Sequence, residues 1–337
     1  MAKILITGGA GFIGSQLGFH LGAQGHEIIL LDNMSYGRLD NLLIGGKLFG
    51  NFIGMDIRSK KIFEVMKGVD YVFHFAGIAP LPDCQSDPYH AIDINVAGTA
   101  NILEAARYNG VKRVVFSSTS AIYENNSKFP CSESDKVSPY LIYSNSKLQS
   151  EMLCKSYVET YGLDVVMLRF YNVYGPHQDM ARKQPPLIGY VIRELYNDNR
   201  PVLHSDGSQR RDYVYTQDVI DLCQLVMTKE GIKSEIFNVC SNTDYSVKEI
   251  YQIIANYMGK NIVPKYNKSE DFWNKYPELY TGALLLKKEV LEKEVNKFAL
   301  GENAKAKAIG WKPRVGIEEG LKKSVDYAVK LFSRGSE

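Results

Sequence analysis

The sequence is short of cysteine, of charge imbalance and of long apolar runs, and each shortage closes off a class of function. Its five cysteines, Cys84, Cys131, Cys154, Cys223 and Cys240, are odd in number, scattered, and never spaced Cys-x-x-Cys. That pattern speaks against a disulfide framework and against a zinc site. Forty Lys and Arg against 38 Asp and Glu leave a formal charge of +2. So even a balance gives no basic footprint for nucleic acid or an anionic membrane, and an anionic ligand must be held locally. The N terminus offers only Lys3 and the run Ile4-Leu5-Ile6 before its glycines, and no later run reaches the ~20 apolar residues of a bilayer crossing. The expectation is a cytoplasmic protein with no membrane partner. What is present is an apolar content of 45% over 337 residues, enough for one large core or two smaller ones.

The N-terminal order is informative. Lys3-Ile4-Leu5-Ile6-Thr7 reads as a strand, Gly8-Gly9-Ala10-Gly11-Phe12-Ile13-Gly14 as a tight turn, and the residues through Leu17 and Leu21 as a helix ending near Gly25. A second strand, Ile28-Ile29-Leu30-Leu31, stops at Asp32. Glycines at 8, 11 and 14 let the backbone turn sharply, approach a pyrophosphate and pack the helix closely on a sheet. The helix N terminus then faces the phosphates. Asp32 is placed to accept hydrogen bonds from a ribose diol and to repel a 2′-phosphate, which favours NAD over NADP.

Further strands are expected at 52–55, 71–75, 113–117 and 165–169, with helical patterns between most of them, notably 95–108 and 147–161. Strands alternating with helices predict an α/β fold with a doubly wound parallel sheet. Ligands bind beyond the carboxyl ends of such strands, an edge that collects Asp56, Ala76-Gly77, Ser117-Ser118-Thr119 and Asn172. Farther on, Ser246-Val247-Lys248-Glu249 reads as a capping box opening a helix with Ile250, Ile253, Ile254 and Tyr257 on its apolar side. The mixed charges of 286–297 read as an exposed amphipathic helix.

Tyr143 and Lys147 stand four apart where a helical pattern begins, which puts both on one helix face. An ammonium beside a phenol favours the phenolate, so a tyrosine with an ordinary pKa near ~10 gains the capacity to act as a base. One such pair among 22 tyrosines carries weight only through its surroundings. His74, with apolar neighbours, reads as a packed strand histidine.

Taken together, Gly8-x-x-Gly11-x-x-Gly14, Asp32-Asn33-Met34-Ser35-Tyr36-Gly37-Arg38, Asp56-Ile57-Arg58, His74-Phe75-Ala76-Gly77, Asn95-Val96-Ala97-Gly98-Thr99, Ser117-Ser118-Thr119, Tyr143-x-x-x-Lys147 and Arg169-Phe170-Tyr171-Asn172-Val173-Tyr174-Gly175-Pro176 resemble the extended short-chain dehydrogenase/reductases. Within them the chain is most similar to the NAD-dependent nucleotide-sugar epimerases and dehydratases. The resemblance runs from residue 1 to about 245 and resumes at Gly310-Trp311-Lys312-Pro313, leaving 260–305 poorly matched.

This resemblance implies a Rossmann-type NAD-binding domain over 1–168, rejoined by about 212–240, and a smaller substrate-binding region over 169–337. It implies a cofactor set of Gly8, Gly11, Phe12, Ile13, Gly14, Asp32, Asn33, Asp56, Ile57, Ala76, Gly77, Asn95, Tyr143 and Lys147. Tyr143 would remove a sugar hydroxyl proton while hydride leaves the adjacent carbon, Lys147 would lower its pKa, and Thr119 would bond the same sugar oxygen. Asn172 would reach the diphosphate or the sugar and Arg211 would pair with the diphosphate, with no second cation assignable. The family's dehydratases place an Asp-Glu pair after the threonine; here Ser120-Ala121 stand there. The expected reaction is therefore C4 epimerisation of a nucleotide sugar, a UDP-hexose or UDP-N-acetylhexosamine, through a 4-keto intermediate. A dehydratase is the alternative, ahead of a reductase or a non-catalytic dinucleotide sensor. No metal is expected. A homodimer through helices at 95–108 and 143–161 is expected, with Val96, Leu103, Leu148 and Met152 as candidates for the contact. By the same resemblance, counting back from Gly310-Trp311 puts the position where some epimerases exclude N-acetyl groups with a bulky tyrosine near Phe298, inside the poorly matched stretch.

Overall fold

Strand β1, Lys3–Thr7, is buried from Ile4 onward, because both faces of the sheet around it are covered. The computed structural model describes residues 1–180, 182 and 185–334. β1 lies within a seven-stranded sheet with β2 (Glu27–Asp32), β3 (Asn51–Gly54), β4 (Tyr71–His74), β5 (Arg113–Thr119), β6 (Val165–Phe170) and β7 (Ile236–Val239). The order is β7-β6-β5-β4-β1-β2-β3, with every neighbouring pair parallel. This is the doubly wound Rossmann-type sheet. The chain leaves β1 toward β2 and β3, then crosses back to β4 on the other side. Thr7 consequently stands between Leu31 and His74, where the direction of winding reverses and a crevice opens.

Alternation along each strand splits the core in two. Ile4 and Ile6 join Leu17 and Leu21 of α1 (Phe12–Ala23), whereas Leu5 joins Ile102, Leu103 and Cys154 from α2 (Thr99–Tyr108) and α3 (Ile142–Tyr161). Val219, Leu222 and Val226 of α4 (Thr216–Thr228) complete the first layer. Leu103 therefore packs in its own subunit's core, fully buried, while Met152 is 60% exposed. Leu148 packs beside Ile122 and Tyr123. The expected helix over 95–108 begins instead with a π-helical turn, Asp93–Gly98.

A third core joins helices Leu187–Tyr196, Val247–Tyr257 and Ile317–Arg334 through Val191, Ile192, Ile250, Ile254 and Leu321. The reciprocal capping box of Ser246 and Glu249 is present. Tyr257, expected on the apolar side, is exposed and donates to Asp326. The charged stretch near the C terminus also differs from expectation. It forms α5 (Lys288–Asn296), but Leu291 is fully buried against Trp273, Tyr276 and Leu279, and Glu294 is buried as well. Its apolar side is docked because the segment before it, with the short 3-10 turns Ser269–Trp273 and Pro277–Tyr280, supplies an aromatic surface. Among the described residues no helix is long and apolar enough to cross a membrane.

Candidate active site

The glycine turn builds the floor of the crevice. Gly8 has φ +70°, and a Cβ there would meet the Ala76 nitrogen at 2.9 Å; one at Gly14 would meet the Gly8 carbonyl oxygen at 2.3 Å. Side chains are excluded, so the backbone leading into α1 comes close to whatever occupies the crevice. A cavity of about 400 Å³ is lined there by Gly8, Gly11, Phe12, Ile13, Gly14, Asp32, Asn33, Asp56, Ile57, Ala76 and Gly77, and at its other end by Thr119, Tyr143 and Lys147. An N-terminal helix end with no side chain in the way suits a pyrophosphate. The residues present thus fit NAD.

Asp32 is buried and accepts from the N–H of Ala10 at 3.1 Å and of Met34 at 2.8 Å. Burial raises its pKa while those two donors pull it down. Asp56 accepts a forked pair from Arg58, both at 2.8 Å, and a bond from Asn33 at 3.1 Å. These donors hold its carboxyl down at about 2. Asn95 stands apart from the cavity wall. Its carboxamide joins the Ile78 backbone, accepting at 2.8 Å and donating at 3.0 Å, and donates to Ser146 at 3.0 Å. Asn95 therefore fixes the loop after β4 to α3 one residue before Lys147.

At the far end, Thr119 and Tyr143 line the same cavity, and the Thr119 hydroxyl accepts from the N–H of Ala121 at 3.1 Å. Burial pushes Tyr143 up to about 12, with Thr119 pulling down and Cys84 and Glu124 pushing up. Burial brings Lys147 down to about 8; its ammonium lies 4.5 Å from the centre of the Phe116 ring. Lys147 is not among the groups that lower Tyr143; desolvation dominates both side chains. His74 is a packed histidine, 2.7 Å from Thr7 Oγ1 and 3.0 Å from Thr99 Oγ1, driven down to about 3 chiefly by burial.

Beneath them, Glu151 of α3 and Arg169 of β6 form an ion pair at 2.8 Å with both side chains almost wholly buried. Ser118 donates to Glu151 at 2.5 Å, and Arg169 donates to the Tyr123 hydroxyl at 2.6 Å. The pair locks α3 to β6, and Ser118 ties it to β5, whose end carries Thr119.

A second cavity of about 700 Å³ shares Tyr171, Val173, Gln178 and Arg182 with the first. Asn172 and Arg211 line it, away from the glycine turn. Asn172 donates to the Asp212 carbonyl at 2.9 Å. Arg211 donates to the carbonyls of Arg210 at 3.0 Å, Glu294 at 3.3 Å and Val295 at 3.1 Å, the latter two at the end of α5. Arg210 turns outward to Asp244 and Glu249. Arg182 and Lys275 are further cations on the walls. A third space of about 20 Å³, lined by Ser120, Ala121, Glu124, Tyr171, Lys297 and Phe298, adjoins the turn after Thr119. Phe298 stands edge-on to Phe129 at 4.7 Å. Sequence reasoning missed Tyr36, Glu124, Gln178, Arg182, Lys275 and Glu294 as wall residues. Of these, only Tyr36 lies within a motif that pointed to the site.

Among known proteins, the NAD dependent epimerase/dehydratase family matches residues 4–240. The UDP-glucose 4-epimerase of Mycolicibacterium smegmatis is 29% identical over 330 residues, covering 96% of this chain and 98% of that protein. The dTDP-D-glucose 4,6-dehydratase of Mus musculus is 31% identical over 343 residues, covering 98% and 89%. The crystal structure of UDP-glucose 4-epimerase with UDP-glucose from Thermotoga maritima superposes with a TM-score of 0.86 at 30% identity, covering 98% of this chain and 99% of that one. The chain belongs to the NAD dependent epimerase/dehydratase family.

Proposed function

We propose that the protein is an NAD-dependent epimerase that inverts C4 of a nucleotide sugar, a UDP-hexose or UDP-N-acetylhexosamine. The observation that carries this reading is the meeting of Thr119, Tyr143 and Lys147 at one end of a cavity whose other end is the glycine turn and Asp32. NAD, when bound, would supply a hydride acceptor and a positive charge. Tyr143, in its phenolate form, takes the proton of the C4 hydroxyl, and Thr119, on the same cavity wall, orients the same oxygen. Lys147 lies one helical turn from Tyr143 and lines the same cavity, placed to hold the nicotinamide ribose. Arg211 and Asn172 face the second cavity, where a diphosphate would anchor the nucleotide while the keto sugar turns over.

The dehydratase reading requires an acid to expel water. Ser120 and Ala121, directly after Thr119, supply no acid for that step, and Glu124, which closes the turn, is held by Tyr140, Leu141 and Ser144, which favours inversion without loss of water. Incubation with a panel of UDP-sugars, read by mass and proton NMR, separates the two. Unchanged mass with inverted C4 is the expected result; loss of water would overturn it.

A homodimer belongs to the same proposal. The outer faces of Pro88–Ile92 and α3 leave Tyr89 82% and Met152 60% exposed, apolar surface of the kind that a partner covers. Light scattering of the native protein should give twice the chain mass, and M152E should shift it toward the single chain.

A further inference from the structure

One carboxyl group beside the site is only half partnered. Glu124 closes the turn Ser120–Tyr123 and is 7% exposed. Its Oε2 accepts from the N–H of Tyr140 at 3.0 Å, the N–H of Leu141 at 3.2 Å and the hydroxyl of Ser144 at 2.7 Å. Its Oε1 is buried and, among the described residues, has no hydrogen-bond partner. A buried oxygen without a donor is costly, so its partner is expected to arrive from outside the chain. Glu124 lines the space of about 20 Å³ next to Ser120 and Ala121, with room for one hydroxyl or water. The side chain is close enough to Tyr143 for its charge to act on the phenol.

The surrounding charges are nearly all engaged. Glu294, also 7% exposed, is paired with Lys297 at 2.5 Å and accepts from the Tyr140 hydroxyl at 3.3 Å. Lys293 lies over the Tyr140 ring at 4.9 Å and bonds to Asn125. Arg211 faces the second cavity. Lys297, paired with Glu294, also acts on Glu124, and among the described residues no further cation lines the small space. A third carboxylate brought in on a sugar would sit beside a like charge in a desolvated site.

We propose that Glu124 is a specificity-determining residue: its Oε1 accepts a hydrogen bond from a hydroxyl of a neutral hexose seated against Thr119 and Tyr143, and with Glu294 it excludes hexuronic acids. The inference rests on the nucleotide-sugar reading above.

Its test compares UDP-glucose with UDP-glucuronate. The native enzyme should favour UDP-glucose in kcat/KM by at least ~100-fold. In E124Q the amide replaces an acceptor by a donor of the same shape, and that ratio should narrow by at least ~10-fold, chiefly through KM for the glucuronate. E294Q should narrow it in the same direction. Calorimetric binding of UDP alone, unchanged in both variants, establishes that the cleft is folded. A native preference for UDP-glucuronate, or an E124Q ratio equal to the native one, would overturn the assignment. Should no UDP-sugar turn over, the epimerase reading fails, and the calorimetric affinities of the same two compounds then decide specificity by the same ratio.

Discussion

Gly14 stands so close to Gly8 that a Cβ added to it would lie 2.3 Å from the Gly8 carbonyl oxygen. The contact is backbone against backbone, so no rotamer change relieves it. The first turn of α1 can approach the dinucleotide crevice because position 14 has no side chain.

Replacing Gly14 by alanine must therefore move α1 away from the turn. G14A should destabilise the protein by roughly 1–3 kcal/mol, the usual cost of overpacking, and weaken NAD binding at least ~10-fold. Thermal melts and NAD titration check both effects. Retained NAD affinity in a folded G14A protein would contradict the close-approach account.

Removing the phenolic hydroxyl isolates the proton transfer. Y143F should lower kcat by ~10²–10⁴, the range for loss of one positioned acid or base. NAD and UDP affinities should stay near native values, because the contacts of Gly8, Asp32 and Arg211 remain. A fall in kcat under tenfold would remove Tyr143 from the role of base.

The Lys147 ammonium is held down by burial from its ordinary range to about 8. Between pH 8 and about 10.5 the unfolded chain holds more protons at this lysine than the native one. Stability from this group therefore rises with pH across that window, and its full cost is present below it. The cost is roughly 3 kcal/mol. Tyrosines and cysteines titrate in the same range, so the quantity to read is the difference between native protein and K147M without NAD. K147M should be the more stable of the two at pH 7.5, and the gap should shrink by pH 10. A gap independent of pH would show that Lys147 is not desolvated in the free protein.

The buried pair of Glu151 and Arg169 is expected to be intolerant of half removal. E151A leaves a guanidinium stranded in the core, along with the Ser118 hydroxyl that donates to the carboxylate. Denaturant unfolding should show a loss of roughly 3–5 kcal/mol. A loss under ~1 kcal/mol would mean that water reaches Arg169.

The sequence by itself determined what depends on neighbours within a few residues. Gly8, Gly11 and Gly14, the Asp32 that ends β2, and the four-residue step from Tyr143 to Lys147 all act through local backbone geometry, so their spacing was legible. The alternation of strands and helices gave the parallel sheet for the same reason. The partners of Arg211 were not legible, because Glu294 and Val295 lie 83 and 84 positions away in a stretch without motif. The docked face of α5 was hidden likewise: mixed charge at helical spacing reads as solvated until the apolar surface of Trp273, Tyr276 and Leu279 is placed beneath Leu291. Tertiary structure also decided the state of Tyr143. Spacing put an ammonium within one helical turn of it, but burial of both groups, which no spacing records, sets the phenol near 12. Glu124 is the clearest case, since a lone acid in a loop becomes a half-partnered carboxyl beside Thr119 only when the chain after Ser138 folds back over it.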